Sequence, residues 1–193
     1  LPVFLVRRLR GSGYERSLAE RFGRYGHELP AEPRCWIHAV SVGEVQATAP
    51  LVRQLAKRFP ERRMLVTTVT PTGAARAQAL FGDGVAHSYV PYEAPFAIDR
   101  FFAAVKPAMA LIMETEIWPN LYHACGKRNI PLVLVSARIS PRSVGKYRRW
   151  MPLFRETLSF GIVIAAQSEA DAEQFRLLGA NPQRTSVTGN IKF

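Results

Sequence analysis

Cys35-Trp36-Ile37-His38-Ala39-Val40-Ser41-Val42 is an apolar, strand-like run that passes through Gly43-Glu44 straight into a run of helical period. From Glu44 to Phe59, the residues Val45, Ala49, Val52, Leu55 and Phe59 recur at spacings of three and four, while Arg53, Lys57 and Arg58 fall elsewhere. That is the pattern of an amphipathic helix laid on a sheet. A strand covered on both faces reads as continuously apolar rather than alternating, and such strands belong to parallel sheets.

The same unit repeats on either side. Further strands are expected at Met64 to Thr70, Val85 to Pro91, Ala108 to Thr115, Pro131 to Ala137, Gly161 to Gln167 and Thr185 to Thr188. Helical segments lie between them at Pro71 to Leu80, Pro95 to Val105, Pro119 to Lys127, Val144 to Leu158 and Glu169 to Leu178. Proline near several helix starts, with Gly82, Gly126 and Gly179 near helix ends, is the usual asymmetry of helix punctuation. The fold class is therefore α/β, an open doubly wound parallel sheet, whose ligands are expected beyond the carboxyl ends of the strands. Residues 1–33 form a basic, glycine-punctuated lead-in and 34–193 one domain; a chain of 193 residues, 48% of them apolar, fits a single core.

Lys and Arg number 26 against 15 Asp and Glu, so the surface field favours an anionic partner. Cys35 and Cys125 lack CxxC spacing and a histidine pattern for zinc, which fits a reduced compartment and no metal site. No apolar run approaches the roughly 20 residues that cross a bilayer. The opening Leu1-Pro2-Val3-Phe4-Leu5-Val6, followed by Arg7, Arg8 and Arg10, reads either as the cut end of an apolar anchor beside a juxtamembrane basic stretch or as the start of an ordinary helix.

Four loops carry candidate chemistry. In Ser41-Val42-Gly43-Glu44, Gly43 permits close backbone approach, and Glu44 falls in the first helical turn as a charged carboxylate that acts as a general base when held beside a hydroxyl away from solvent. Ser41-x-x-Glu44 equally fits a capping box, and GxGxxG is missing, which disfavours a nicotinamide enzyme. Thr70-Pro71-Thr72-Gly73 offers hydroxyls and bare backbone for a phosphate or sugar hydroxyl, or a threonine cap with proline behind it. Glu114-Thr115-Glu116 places two carboxylates at alternate positions of a strand end, hence on one side, as a hydroxyl-binding pair or an acid and base pair. Ser136-Ala137-Arg138 leads to Arg142, Lys146, Arg148 and Arg149 beside Tyr147 and Trp150, which reads as a lipid-headgroup seat or a solvated helix face. The histidines are scattered, and His38 reads as a core residue.

Taken in order, His38-Ala39-Val40-Ser41-Val42-Gly43-Glu44, Thr70-Pro71-Thr72-Gly73, Glu114-Thr115-Glu116-Ile117-Trp118-Pro119-Asn120, Ser136-Ala137-Arg138-Ile139-Ser140 and Gly189-Asn190-Ile191-Lys192-Phe193, with Glu20-Arg21-Phe22-Gly23 in the lead-in, resemble 3-deoxy-D-manno-octulosonic acid (Kdo) transferases over essentially the whole chain. The resemblance implies the Rossmann-like N-terminal, acceptor-binding half of a GT-B type glycosyltransferase of lipopolysaccharide biosynthesis. Such an enzyme moves Kdo from CMP-Kdo to the lipid A precursor with inversion, and needs no metal or other cofactor. It implies Glu44 as the base, with Ser41, Gly43, Thr72, Gly73, Glu114, Glu116 and Arg138 on the acceptor side. The partners implied are the acceptor lipid, the donor nucleotide sugar and an anionic membrane surface, not nucleic acid, at the cytoplasmic face of the bacterial inner membrane, held peripherally or by a single N-terminal anchor. The donor-binding C-terminal domain is expected to lie outside this chain, leaving the isolated half inactive. The alternatives are another two-domain sugar-nucleotide enzyme, such as an epimerase, and a non-enzymatic basic membrane-binding module.

Overall fold

A computed structural model of the chain describes residues 18–25, 34–139 and 151–192. Its strands are β1 (Arg34–His38), β2 (Arg63–Thr68), β3 (Ala86–Tyr89), β4 (Pro107–Met113), β5 (Leu132–Ala137), β6 (Val163–Ala166) and β7 (Thr185–Val187). The helices are α1 (Leu18–Arg21), α2 (Val42–Arg58), α3 (Pro71–Phe81), α4 (Pro95–Val105), α5 (Pro119–Lys127), α6 (Met151–Ser159) and α7 (Glu169–Leu177). All seven strands pair in parallel, in the order β3-β2-β1-β4-β5-β6-β7, as the sequence predicts of a doubly wound sheet.

Because side chains alternate across a strand, β1 feeds two cores at once. Cys35 and Ile37 join Val45, Val52, Met64, Val66, Ala77 and Leu111 under α2 and α3. Trp36 joins Leu65, Phe101, Phe102, Leu121, Tyr122, Leu134, Ile164 and Phe175 on the opposite face, under α4, α5 and α7. Both faces are covered at the centre of the sheet, which is why most strands read as continuous apolar runs.

The described part of the lead-in is docked on this frame. Glu20 accepts hydrogen bonds from the Ser88 hydroxyl (3.1 Å) and the Tyr89 N–H (2.9 Å). Arg21, only 2% exposed, donates to the Val69 carbonyl and lies over the Tyr89 ring, 4.7 Å from its centroid. Gly23, at φ 72°, lets the backbone press against α4 where a β-carbon would stand 2.7 Å from the Ala97 carbonyl oxygen. The expected apolar opening, the basic run 142–150 and the first part of the Val144 to Leu158 helix lie outside the described residues.

Several strands end short of the expected bounds, among them β2 at Thr68 and β3 at Tyr89, and two of these corrections bear on the site. β1 was expected to reach Val42 but ends at His38, since Ser41 already caps α2. β4 was expected to reach Thr115 but ends at Met113, because Glu114 takes a left-handed conformation, φ 54°.

Candidate functional site

From β1 the chain moves outward to β2 and β3, then returns across the sheet to β4 and runs the other way. The switch point therefore lies between β1 and β4, and the loops after these two strands border the crevice where open α/β sheets take their ligands. Those loops carry Ser41, Gly43 and Glu44 on one side and Glu114 to Trp118 on the other.

Ser41 caps α2: its hydroxyl oxygen accepts from the Glu44 N–H (3.4 Å) and its O–H donates to Glu44 Oε1 (2.9 Å). Glu44 Oε2 accepts from the Val40 N–H (2.9 Å). The capping box is thus formed, yet the carboxylate is only half-buried and stays in the field of the crevice. Burial pushes its pKa up; the Val40 N–H and the Ser41 hydroxyl oppose that, Glu114 adds to it and Lys192 lowers it. Partial dehydration makes Glu44 a stronger base than a carboxylate in water, in keeping with the condition that it be held away from solvent. Gly43 is exposed, and a β-carbon there would meet nothing within 4 Å, so the helix start is open to a ligand.

Glu114 is 6% exposed. Its Oε2 accepts from Arg138 Nε (3.0 Å), and its Oε1 is ion-paired with Lys192 Nζ. Glu116 turns elsewhere: its Oε2 accepts from Trp118 Nε1 (2.7 Å) and its backbone carbonyl from the Tyr122 hydroxyl (2.7 Å). Burial raises the Glu116 pKa; Trp118 opposes this, while Glu44 and Glu114 add to it. The three carboxylates share one electrostatic neighbourhood, but not by the strand alternation the sequence suggested. Once the backbone turns left-handed at Glu114, period-two logic no longer applies to Glu116.

Thr72 and Gly73 sit at the start of α3, after β2. Thr70 accepts the Gly73 N–H (3.0 Å), the Thr72 hydroxyl donates to Thr70 Oγ1 (3.3 Å), and a β-carbon on Gly73 would stand 3.0 Å from Thr70 Oγ1. The cap reading describes this loop, and among the described residues no hydrogen bond or ion pair joins it to Glu44 or Glu114. His38 is buried, as expected of a core residue. Its Nδ1 lies 2.9 Å from Thr67 Oγ1, its ring stands edge-on to Trp118, and burial lowers its pKa to about 4. His87 and His123 lie apart from this cluster, and the described residues contain no group of side chains that could hold a metal ion. No helix among them is long and apolar enough to cross a membrane.

Sequence reasoning missed three supporting residues. Lys192 lies in Gly189-Asn190-Ile191-Lys192-Phe193, whose local sequence gives it no role; the structure folds its segment back on β5, where the Ile191 N–H donates to Ser136 Oγ (3.3 Å). Glu93 accepts the N–H groups of Asn120 (3.0 Å) and Leu121 (3.1 Å), capping α5 from a distant loop. Asp171 accepts the Ile139 N–H (3.0 Å) and so fixes the loop that carries Arg138. Ser168-x-x-Asp171 is a visible cap spacing, whereas nothing local marks Glu93.

A family model described as 3-deoxy-D-manno-octulosonic-acid transferase (kdotransferase) matches residues 16–193. The chain is 44% identical over 181 residues to a 3-deoxy-D-manno-octulosonic acid transferase of Haemophilus influenzae, a match covering 93% of this chain and 42% of that one. The transferase of the same name from Bordetella pertussis is 37% identical over 202 residues, 99% of this chain and 46% of the relative. A probable mitochondrial 3-deoxy-D-manno-octulosonic acid transferase of Arabidopsis thaliana is 36% identical, covering 97% and 42%. The chain therefore spans less than half the length of these curated relatives. Among solved structures, the UDP-GlcNAc 2-epimerase of Neisseria meningitidis bound to UDP-GlcNAc superposes with a TM-score of 0.60 at 14% identity, covering 82% of this chain and 47% of that one, a likeness of fold.

Proposed function

Because this chain belongs to the 3-deoxy-D-manno-octulosonic acid transferase family, we propose that it is the acceptor-binding part of a glycosyltransferase moving Kdo from CMP-Kdo to the lipid A precursor. In this reading an acceptor hydroxyl enters the β1–β4 crevice and gives its proton to Glu44. The alkoxide-like oxygen attacks the anomeric carbon of Kdo from the face opposite CMP. The new carbon–oxygen bond forms as the bond to the phosphate oxygen breaks, and CMP leaves with that electron pair, so the configuration inverts. Every step of this route is an acid–base or displacement step and none is assigned to a metal.

One observation carries the proposal: Glu44 is presented at the switch point with its basicity raised by burial, beside Glu114 and Glu116. Both of its oxygens already accept one hydrogen bond, and a carboxylate has lone pairs to spare for a third. The excess of 26 Lys and Arg over 15 Asp and Glu suits a phosphorylated acceptor in an anionic bilayer, and supports the reading that the protein works at the cytoplasmic face of the inner membrane.

The test uses the full-length protein with CMP-Kdo and lipid A precursor. Removing a positioned general base costs about 10²–10⁴-fold in turnover, so Glu44→Gln is expected to lose that much while keeping its fold. Turnover within threefold of wild type would remove Glu44 from the role of base. Turnover of UDP-GlcNAc with none of CMP-Kdo would point instead to an epimerase-like activity.

A further inference from the structure

Two cations converge on one buried carboxylate at the mouth of the crevice. Arg138 Nε meets Glu114 Oε2 and Lys192 Nζ meets Oε1, so each oxygen holds one cation and one positive charge is left over. The remaining donors face outward. Arg138 uses only its Nε among the described residues, leaving both terminal amino groups free on a side chain that is 58% exposed, and the Lys192 side chain is 38% exposed.

Both cations are also fixed from behind. The Arg138 carbonyl accepts the Thr115 hydroxyl (2.8 Å), and the next residue, Ile139, is held by Asp171. The Lys192 N–H donates to Asn190 Oδ1 (2.9 Å), and its neighbour Ile191 is held by Ser136. Among the described residues neither Glu44 nor Glu116 is ion-paired with these cations: Glu44 is held by the Val40 N–H and the Ser41 hydroxyl, and Glu116 Oε2 by Trp118 Nε1. A planar guanidinium beside an ammonium is a donor set for a group with two or three oxygens sharing a negative charge.

We propose that Arg138 and Lys192, splayed on Glu114, form a seat for an oxyanion of the ligand, a carboxylate or a phosphate group, beside Glu44. Glu114 is the positioning residue of that seat. The inference rests on the reading that Glu44 faces the reacting sugars and adds what holds the ligand's charge there. The Lys192 contribution to Glu44 then links the two: an anion drawing on Lys192 relieves Glu44 of a neighbour that lowers its pKa, so a filled seat leaves a stronger base.

The experiment titrates the full-length protein at fixed ionic strength with inorganic phosphate and, separately, with free Kdo, following binding by calorimetry. Lys192→Met and Arg138→Gln are each expected to weaken the better probe about tenfold, as for loss of one charge-assisted hydrogen bond. Arg138→Lys is expected to restore little, because the fork is lost. Lys57→Met, which removes the same charge from the far end of α2, should change binding less than twofold. Tighter binding of free Kdo identifies a sugar carboxylate as the ligand group; tighter binding of phosphate identifies a phosphate.

Removing one cation leaves Glu114 with a single partner, so the double variant Lys192→Met with Glu114→Gln guards against misfolding and should still bind weakly. Equal losses in the Lys57, Arg138 and Lys192 variants, or no loss in the last two, would overturn the seat. Glu44→Gln separates the two readings. It should keep anion binding while losing turnover, and if it keeps turnover the base is wrong while the seat stands on its own titration.

Discussion

Replacing Glu114 by glycine and by alanine separates what its side chain does from what its backbone costs. Glu114 sits at φ 54° on the last turn out of β4. In that region the β-carbon of an L-residue crowds the following carbonyl, at a cost of about 1–2 kcal/mol. Both variants lose the carboxylate and release Arg138 and Lys192, which are exposed enough to regain water. The side-chain loss therefore cancels in the comparison. Alanine keeps the strain. Glycine removes it but gains freedom in the unfolded chain, which returns about 0.4–1 kcal/mol. Glu114→Gly is expected to be the more stable of the two by about 0.8 kcal/mol, the difference of those midpoints, or about 2–3 °C in thermal midpoint for a chain of this size. Urea unfolding followed by circular dichroism measures it directly. If the alanine variant is as stable as the glycine one, the left-handed backbone is not strained, and the reason given for the early end of β4 fails.

Burial raises the Glu116 pKa, so the folded chain holds that proton more tightly than the unfolded chain, whose glutamates titrate at about 4.3. The stability it contributes is full below the unfolded value and is lost as pH rises through the folded one. Glu116→Gln, with no charge to bury and an oxygen for Trp118, should match wild type in thermal midpoint near pH 4 and exceed it near pH 8; equal midpoints at pH 8 would contradict the burial effect. Gly23→Ala puts a β-carbon 2.5 Å from Arg100 Cβ and 2.7 Å from the Ala97 carbonyl oxygen at φ 72°. Adding a left-handed penalty of about 1–2 kcal/mol to an overpacking cost of about 1–3 gives a loss of about 2–5 kcal/mol in urea unfolding, and a loss below 1 would mean that the lead-in does not press on α4 as described.

Hydrophobic pattern carried the fold because both faces of the sheet's centre are covered, so most strands announced themselves as apolar runs and the helices between them as stripes. The pattern fails where the backbone leaves its regular region. Glu114 and Ser136, both left-handed at φ 54° and 52°, end or bend β4 and β5, and neither residue type signals that conformation. Arg21 shows the other limit. Inside a basic lead-in it reads as one more solvated cation, yet it is buried because the Val69 carbonyl, 48 residues away, and the rings of Tyr89 and Tyr92 meet it there. A partner that distant in sequence leaves no local trace.

The site was legible in its first half for a physical reason. Ser41-x-x-Glu44 admits a helix cap or a base; the structure shows the cap, and its geometry is compatible with the proposed base. A capping carboxylate must lie at the start of its helix, and the start of the helix after β1 lies at the switch point of a sheet wound in this order. The cap therefore holds the side chain at the crevice rather than diverting it, and burial there raises its basicity. The second half was not legible, because it is assembled across the fold: Arg138 from the loop after β5 and Lys192 from the end of the chain meet on a carboxylate delivered by β4. Composition supplied those charges, and the topology decided that two of them share a single acceptor.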